Sequence, residues 1–324
     1  MRWLACAGAF LVLAGTGGAT VPPLETSEGE AAIFYYPWWG TPVQDGSWQH
    51  WNQNGHEPPI SVASRFYPAR GPYSSSATNV VRAHMREIAD MGVQTVVVSW
   101  WGPGSKEDGL LDLVSREAAA AGLRVAVHLE PWRDRTPEAA AAAIASLHER
   151  GVDDFYVYDS TTGHDADWAA ALAPLTGVRV FANTALPGRA AAGGFDGLYT
   201  YDVFVYDGSS FRRMCASARR LALVCAPSVG PGYDSRSATG DLRVKLRKRG
   251  STYDAMWKSA LRARAQVVTI TSYNEWHEGT QIEAARDVGP PYASYDGAWG
   301  LRGRDAEDAY LVRTAYWVGK LRSR

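Results

Sequence analysis

The chain of 324 residues predicts an α/β fold, a single (β/α)8 TIM barrel, on three observations. Short β-branched or aromatic runs alternate with longer Ala-rich stretches eight times. Most of the helical stretches open on Ser, Thr, Asp or Pro, and several close on Gly. Polar and aromatic residues collect where the apolar runs end and not where they begin, the asymmetry of a barrel that keeps its chemistry on one rim.

The predicted strands are Ala31–Tyr36, Thr95–Trp100, Arg124–Glu130, Asp154–Tyr158, Arg179–Ala182, Gly197–Tyr201, Ala222–Pro227 and Val267–Ser272. Helices are expected at Ala77–Met91, Glu107–Ala121 and Pro137–Arg150, each followed by the stop residue Gly92, Gly122 or Gly151. Further helices follow at Asp165–Ala173, Pro187–Ala192, Ser209–Arg219, Tyr253–Arg264 and Asp305–Leu321. No repeat or low-complexity linker divides a second domain from residues 31–324.

Residues 1–19 read as a secretory signal: Arg2, the apolar run Trp3–Leu13, then small residues with Gly17 and Ala19 at −3 and −1. The run is too short to span a bilayer, so after its removal no membrane contact is expected. The mature chain is expected to start near Thr20 with a linker over 20–30, in a secreted or periplasmic monomer. Export permits a disulfide between Cys215 and Cys225; a buried thiol pair satisfies the sequence equally well.

Net charge is −1 and no basic block outlasts Lys245–Arg249, which excludes a nucleic-acid or polyanion surface. There is no Gly-x-Ser-x-Gly, no phosphate-cradling loop and no dinucleotide fingerprint, so no cofactor is expected. The 13 Trp residues cluster at Trp38-Trp39, Trp48 and Trp51, and Trp100-Trp101. Such rings serve in core packing by default and also stack on the apolar faces of sugars.

Directly after Val267–Ile270 comes the run from Ser272 to Glu283, with Glu275 and Glu278 three residues apart and Trp276 and His277 between them. In a turn, side chains three apart share one side; Gly279 and the strand end before it favour that turn. Paired carboxylates are the minimum equipment for acid and base work on a glycosidic bond, and close spacing suits retention, since inversion needs room for a water. A plain surface loop is the alternative. A metal at His277 lacks a second His at helical spacing.

These residues resemble the endo-α-1,2-mannosidases of glycoside hydrolase family 99, and the bacterial members in particular. The likeness runs in collinear order through Tyr36-Pro37-Trp38, Phe66-Tyr67-Pro68, Tyr73-Ser74-Ser75, His84-Met85-Arg86, Ser99-Trp100-Trp101, His128-Leu129-Glu130-Pro131, Phe155 to Ser160, Gly194 to Tyr201, Pro227 to Tyr233 and Asn274 to Glu283. The resemblance implies a metal-free retaining endo-glycosidase acting on α-mannan or a mannose-containing oligosaccharide. In it Glu275 deprotonates the sugar's own 2-hydroxyl, giving a 1,2-anhydro intermediate, and Glu278 is the acid/base. Tyr36, His128, Glu130 and Tyr201 are expected around the −1 sugar and Trp101 at the −2 sugar, with Asn274 and Trp276 also counted as substrate-binding. Two departures stand out. The Arg-Pro-Trp segment usual after Pro-Gly-Tyr is replaced by Asp234 to Thr239, and the stretch from Pro131 to Phe155 is shorter than in animal members. Rival readings are another secreted α-glycanase, such as an α-1,3-glucanase, and a non-catalytic glycan-binding barrel; the presence of both glutamates argues against the latter.

Overall fold

In the computed structural model residues 29–324 are described, so the expected signal and nearly all of the linker lie outside the described residues. Parallel strands Glu30–Tyr35, Thr95–Trp100, Arg124–Leu129, Asp154–Val157, Arg179–Asn183, Gly197–Tyr199, Val224–Ala226 and Val267–Ile270 follow one another around a ring. Closure turns on Pro227. Before it, Cys225 pairs with Leu198 of the sixth strand; after it, the seventh strand resumes as Ser228–Val229 and pairs with Thr269 and Ile270 of the eighth. Proline has no N–H to donate, so the strand changes neighbour at the one residue that cannot serve a full ladder. Its carbonyl still accepts from Thr269 N at 3.1 Å. The eighth strand then pairs with the first, Ile270 opposite Ile33, and the (β/α)8 barrel is complete.

The helices lie between the strands: Thr78–Asp90, Lys106–Ala120, Pro137–Glu149, Asp165–Leu172, Pro187–Ala192, Phe211–Arg220 and Ser251–Arg262, with Ala309–Arg322 returning to the first strand. Two starts are capped as the sequence implies, Ser105 Oγ accepting from Asp108 N and Thr136 Oγ1 from Ala139 N. Gly92, Gly122 and Gly151 take φ of 76°, 76° and 88°, the left-handed conformation that ends a helix at little steric cost in glycine. The observed ends differ from the expected ones by a residue or two. Glu30, assigned to the linker, is the first strand residue and pairs with Val267. The expected Asp305–Leu321 helix is divided into Arg304–Glu307 and Ala309–Arg322.

Strand alternation sorts the first strand into Ala31, Ile33 and Tyr35 facing the helices and Ala32, Phe34 and Tyr36 facing the axis. The barrel interior is filled with aromatic rings where branched aliphatics are the common choice: Phe34, Tyr156, Phe181, Tyr199 and Tyr201 pack together, Tyr156 stacking on Phe181 at 4.6 Å. Cys215 of the Phe211–Arg220 helix and Cys225 of the seventh strand form a disulfide, which settles the alternative left open above.

The loops at the carboxyl ends of the strands are tied to one another. Tyr67–Pro68, after the first strand, pairs with Ala285–Arg286, after the eighth, and Tyr233–Asp234 forms a hairpin with Val244–Lys245. A wide concavity of about 1230 Å³ at the opposite end, lined by Arg124, Asp154 and Arg179 among others, holds none of the expected site residues.

Candidate active site

The loop after the eighth strand is a closed turn. Ser272 N donates to Thr280 O at 3.0 Å, and Gly279 N to Trp276 O at 3.3 Å. Gly279 has φ +64°, and a Cβ there would lie 3.0 Å from Asp234 O, so both conformation and space require glycine. Ser272 Oγ accepts from Glu275 N at 2.8 Å. Glu275 Oε1 in turn accepts from His277 N at 2.9 Å and from Glu278 N at 3.4 Å. The turn thus presents both glutamates and aims two amide groups at the first.

Neighbouring strands supply the rest of the site. Tyr36 and Tyr201 hydrogen-bond through their hydroxyls, and Tyr201 O–H donates to Glu278 Oε2 at 3.3 Å. His128 stacks on Tyr201 at 5.3 Å; its Nδ1 lies 2.9 Å from Glu130 Oε1, and its Nε2 is 2.8 Å from the Tyr199 hydroxyl. Ser99 O–H donates to the same Glu130 oxygen at 2.8 Å. Trp38 bridges outward, 4.8 Å from the Tyr36 ring and 6.4 Å from Trp101, which is 38% exposed on the rim. One mouth therefore brings together Tyr36, Trp101, His128, Glu130, Tyr201, Glu275 and Glu278. Tyr201 holds φ of +38°, rare for an aromatic residue, with Thr271 Oγ1 donating to its carbonyl at 3.0 Å.

Asn274 and Trp276 occupy a different place from the sugar-facing one expected of them: both are wholly buried beneath the loop. Asn274 clamps the Tyr36 backbone, accepting from its N–H at 2.8 Å and donating to its carbonyl at 3.0 Å. Trp276 Nε1 donates to Glu283 Oε2 at 3.0 Å, as does the Tyr73 hydroxyl at 2.7 Å, and His84 Nε2 lies 3.2 Å from the other oxygen of Glu283. An Asn and an indole inside a motif signal proximity to the site, not the direction in which they point.

The electrostatics follow from burial. Glu275 is pushed well above the usual carboxylate range, chiefly by desolvation and next by the charge of Glu278; its two amide donors pull the other way. Burial, then the charge of Asp202, pushes Glu278 up to about 8, against the pull of the Tyr201 hydrogen bond. Two carboxyls that repel each other in a dry site cannot both ionise readily, so the pair keeps a proton at neutral pH. Burial pushes the Tyr36 and Tyr201 phenols well above their usual range, so they stay donors. It also pulls His50 and His277 down to about 4. His277 is thus neutral, with Nε2 donating to His50 O at 2.8 Å.

Several contributing residues had no role assigned from sequence. Ser99, Tyr199 and Glu283 act by touching a site residue, and only the crowding of polar groups at the strand ends hinted at the first two. Phe204 and Arg243, beside Glu278, had no sequence signal.

The family model of Glycosyl hydrolase family 99 matches residues 27–323. A glycoprotein endo-α-1,2-mannosidase of Xenopus laevis is 32% identical, over 78% of this chain and 69% of its own. A glycoprotein endo-α-1,2-mannosidase-like protein of Danio rerio is 31% identical over 88% and 77%. Among solved structures, the GH99 endo-α-mannosidase of Bacteroides thetaiotaomicron in complex with bis-tris-propane superposes with a TM-score of 0.80 at 30% identity, covering 90% of this chain and 97% of that one. Barrel, paired glutamates and relatives agree, and the chain belongs to glycosyl hydrolase family 99.

Proposed function

We propose that this glycoside hydrolase is a retaining endo-α-1,2-mannosidase that cuts internal bonds of α-mannan or mannose-rich glycans through participation of the substrate's own 2-hydroxyl. The observation that carries the reading is the pair of buried glutamates on one turn, one facing amide donors and the other a phenol. Glu275 takes the proton of the 2-hydroxyl, and the 2-oxygen bonds to the anomeric carbon as the bond to the leaving sugar breaks. Glu278 gives its proton to the departing oxygen. In the second half Glu278, now ionised, deprotonates a water that opens the 1,2-anhydro ring at the anomeric carbon, and Glu275 returns a proton to the 2-oxygen. Two inversions give net retention.

Sugar geometry supports mannose at the cleaved position. In an α-mannoside the 2-hydroxyl stands trans to the leaving oxygen and can attack from behind; the equatorial 2-hydroxyl of an α-glucoside cannot. Glucose remains acceptable at −2, where no bond breaks. The Cys215–Cys225 disulfide supports the reading of an exported protein.

The test is product analysis of an α-1,2-linked manno-oligosaccharide by NMR, together with incubation with a 2-fluoro mannoside carrying an activated leaving group. Internal cleavage with a retained anomer is expected, without a covalent adduct. A trapped ester on Glu275 or Glu278 overturns the mechanism, and no cleavage of any α-mannoside overturns the activity.

A further inference from the structure

The basic stretch from Lys245 to Arg249 has no part in the site described above, yet Arg247 turns inward from it. Lys248, Arg249 and Gly250, which follow, hold φ of 48°, 52° and 90°, a left-handed conformation unfavourable for the first two. A Cβ on Gly250 would run into the Trp299 ring. This turn sets the Arg247 guanidinium among three buried rings, its central carbon 4.5 Å from the Phe66 centroid, 4.6 Å from that of Tyr310 and 4.7 Å from that of Tyr295. Phe66 comes from the chain after the first strand, Tyr295 from the chain after the eighth, and Tyr310 from the terminal helix. Attraction to three ring faces holds the cation at the place where these segments meet.

The guanidinium reaches the loop of the glutamates. Its Nη2 donates to Gly279 O at 3.0 Å and to Gln281 O at 2.7 Å. Asp234 N, in the hairpin that precedes Arg247, donates to Glu278 O at 2.7 Å. The carbonyls of residues 278, 279 and 281 are therefore all held from the 233–247 segment. A Cβ on Gly232 would lie 2.6 Å from Lys245 O and 2.9 Å from Arg247 Cγ, so the Pro-Gly-Tyr run lies against Arg247 only with glycine there. Lys245 Nζ donates to Val203 O, pinning the hairpin to the loop after the sixth strand. Glu275 is held otherwise. Its N–H donates to Ser272 Oγ, its carboxylate accepts from His277 N, and Asn274 beside it clamps the Tyr36 backbone; none of these bonds involves the hairpin.

We propose that Arg247 is a positioning residue for the acid: held by Phe66, Tyr295 and Tyr310, it fixes the backbone on which Glu278 stands and leaves Glu275 to the loop's own bonds. The proposal rests on the mannosidase reading above, with Glu278 as the acid. A misplaced acid costs most where the leaving group needs a proton, so the effect depends on the substrate, as a general loss of fold would not. Arg247→Met removes the donors and keeps an apolar stem. Arg247→Lys keeps a cation among the rings without the planar fork, and it decides the matter if the Met variant does not fold. Leu246→Ser, at the exposed neighbouring position, is the control. Each is assayed beside Glu278→Gln on an α-1,2-linked manno-oligosaccharide and on an aryl mannoside whose phenol leaves readily. Arg247→Met is expected to lower kcat on the oligosaccharide by about 10–100-fold, the cost of a displacement of roughly 1 Å, with KM within about twofold of wild type. Arg247→Lys should show the same pattern with a smaller loss. Both should stay within about threefold of wild type on the aryl mannoside, and Leu246→Ser should match wild type on both substrates. Equal loss on the two substrates, or no loss on the oligosaccharide, in the folded Arg247 variants overturns the proposal. If Glu278→Gln itself does not separate the substrates, the acid assignment falls and the proposal with it; if it does and the Arg247 variants do not, the proposal alone falls.

Discussion

Replacing the acid tests the division of labour between the two glutamates. Glu278 is pushed up to about 8 by burial and by Asp202, so in the free enzyme about nine-tenths of it is protonated at pH 7. The protonated form is the active one for an acid. On the alkaline side kcat/KM therefore falls tenfold per pH unit above about 8 as Glu278 loses its proton; on the acid side it falls as Glu275, which must be ionised to act as the base and is itself pushed up by burial, takes up a proton. Glu278→Gln keeps the shape and removes the transferable proton. A sugar alkoxide leaves poorly without one, so the loss on a natural mannoside is expected at roughly 10²–10⁴-fold, or about 3–5 kcal/mol in the barrier. An aryl mannoside whose phenol leaves readily should lose far less, and its alkaline limb should vanish in the variant. The assay is kcat/KM against pH for both enzymes on both substrates. An alkaline limb near pH 8 that survives in Glu278→Gln, or an equal loss on the aryl mannoside, refutes the assignment.

Glu275→Gln should impair both substrates by similar factors, because the 2-hydroxyl must be activated whatever the leaving group; steady-state kinetics on the same pair checks this. Replacing Cys215 and Cys225 together by Ala opens a loop of sequence separation 10 and should cost about 2.7 kcal/mol on the loop-entropy relation, lowering the midpoint of thermal unfolding by roughly 4 °C. Glu283→Gln replaces the buried carboxylate that accepts from Trp276 and Tyr73 and should lose about 1–3 kcal/mol of stability in urea unfolding. Gly279→Ala forces a Cβ to 3.0 Å from Asp234 O at φ +64°, and should reduce kcat on both substrates by displacing Glu278, the residue before it.

The eight strands, most helix starts and stops, and the motif carrying Glu275 and Glu278 were legible in the sequence, because each is a local matter. Strand runs of β-branched residues, Ser105 and Thr136 before helices, and Gly92, Gly122 and Gly151 after them act through their own backbone within a few residues. The rim position of the glutamates follows from their place directly after Ile270. Tertiary structure decided what depends on two segments meeting. Pro227 closes the barrel only because both of its neighbours lie beside it. Trp276 and Asn274 turn inward because Glu283, Tyr73 and the Tyr36 backbone wait there with hydrogen-bond partners that a buried polar group must find. Arg243 reaches Phe204 only across a hairpin pinned by Lys245. The raised position of Glu278 belongs to the fold as well: a carboxyl's proton affinity is set by lost water and nearby charge, and neither is written in the residues adjacent to it.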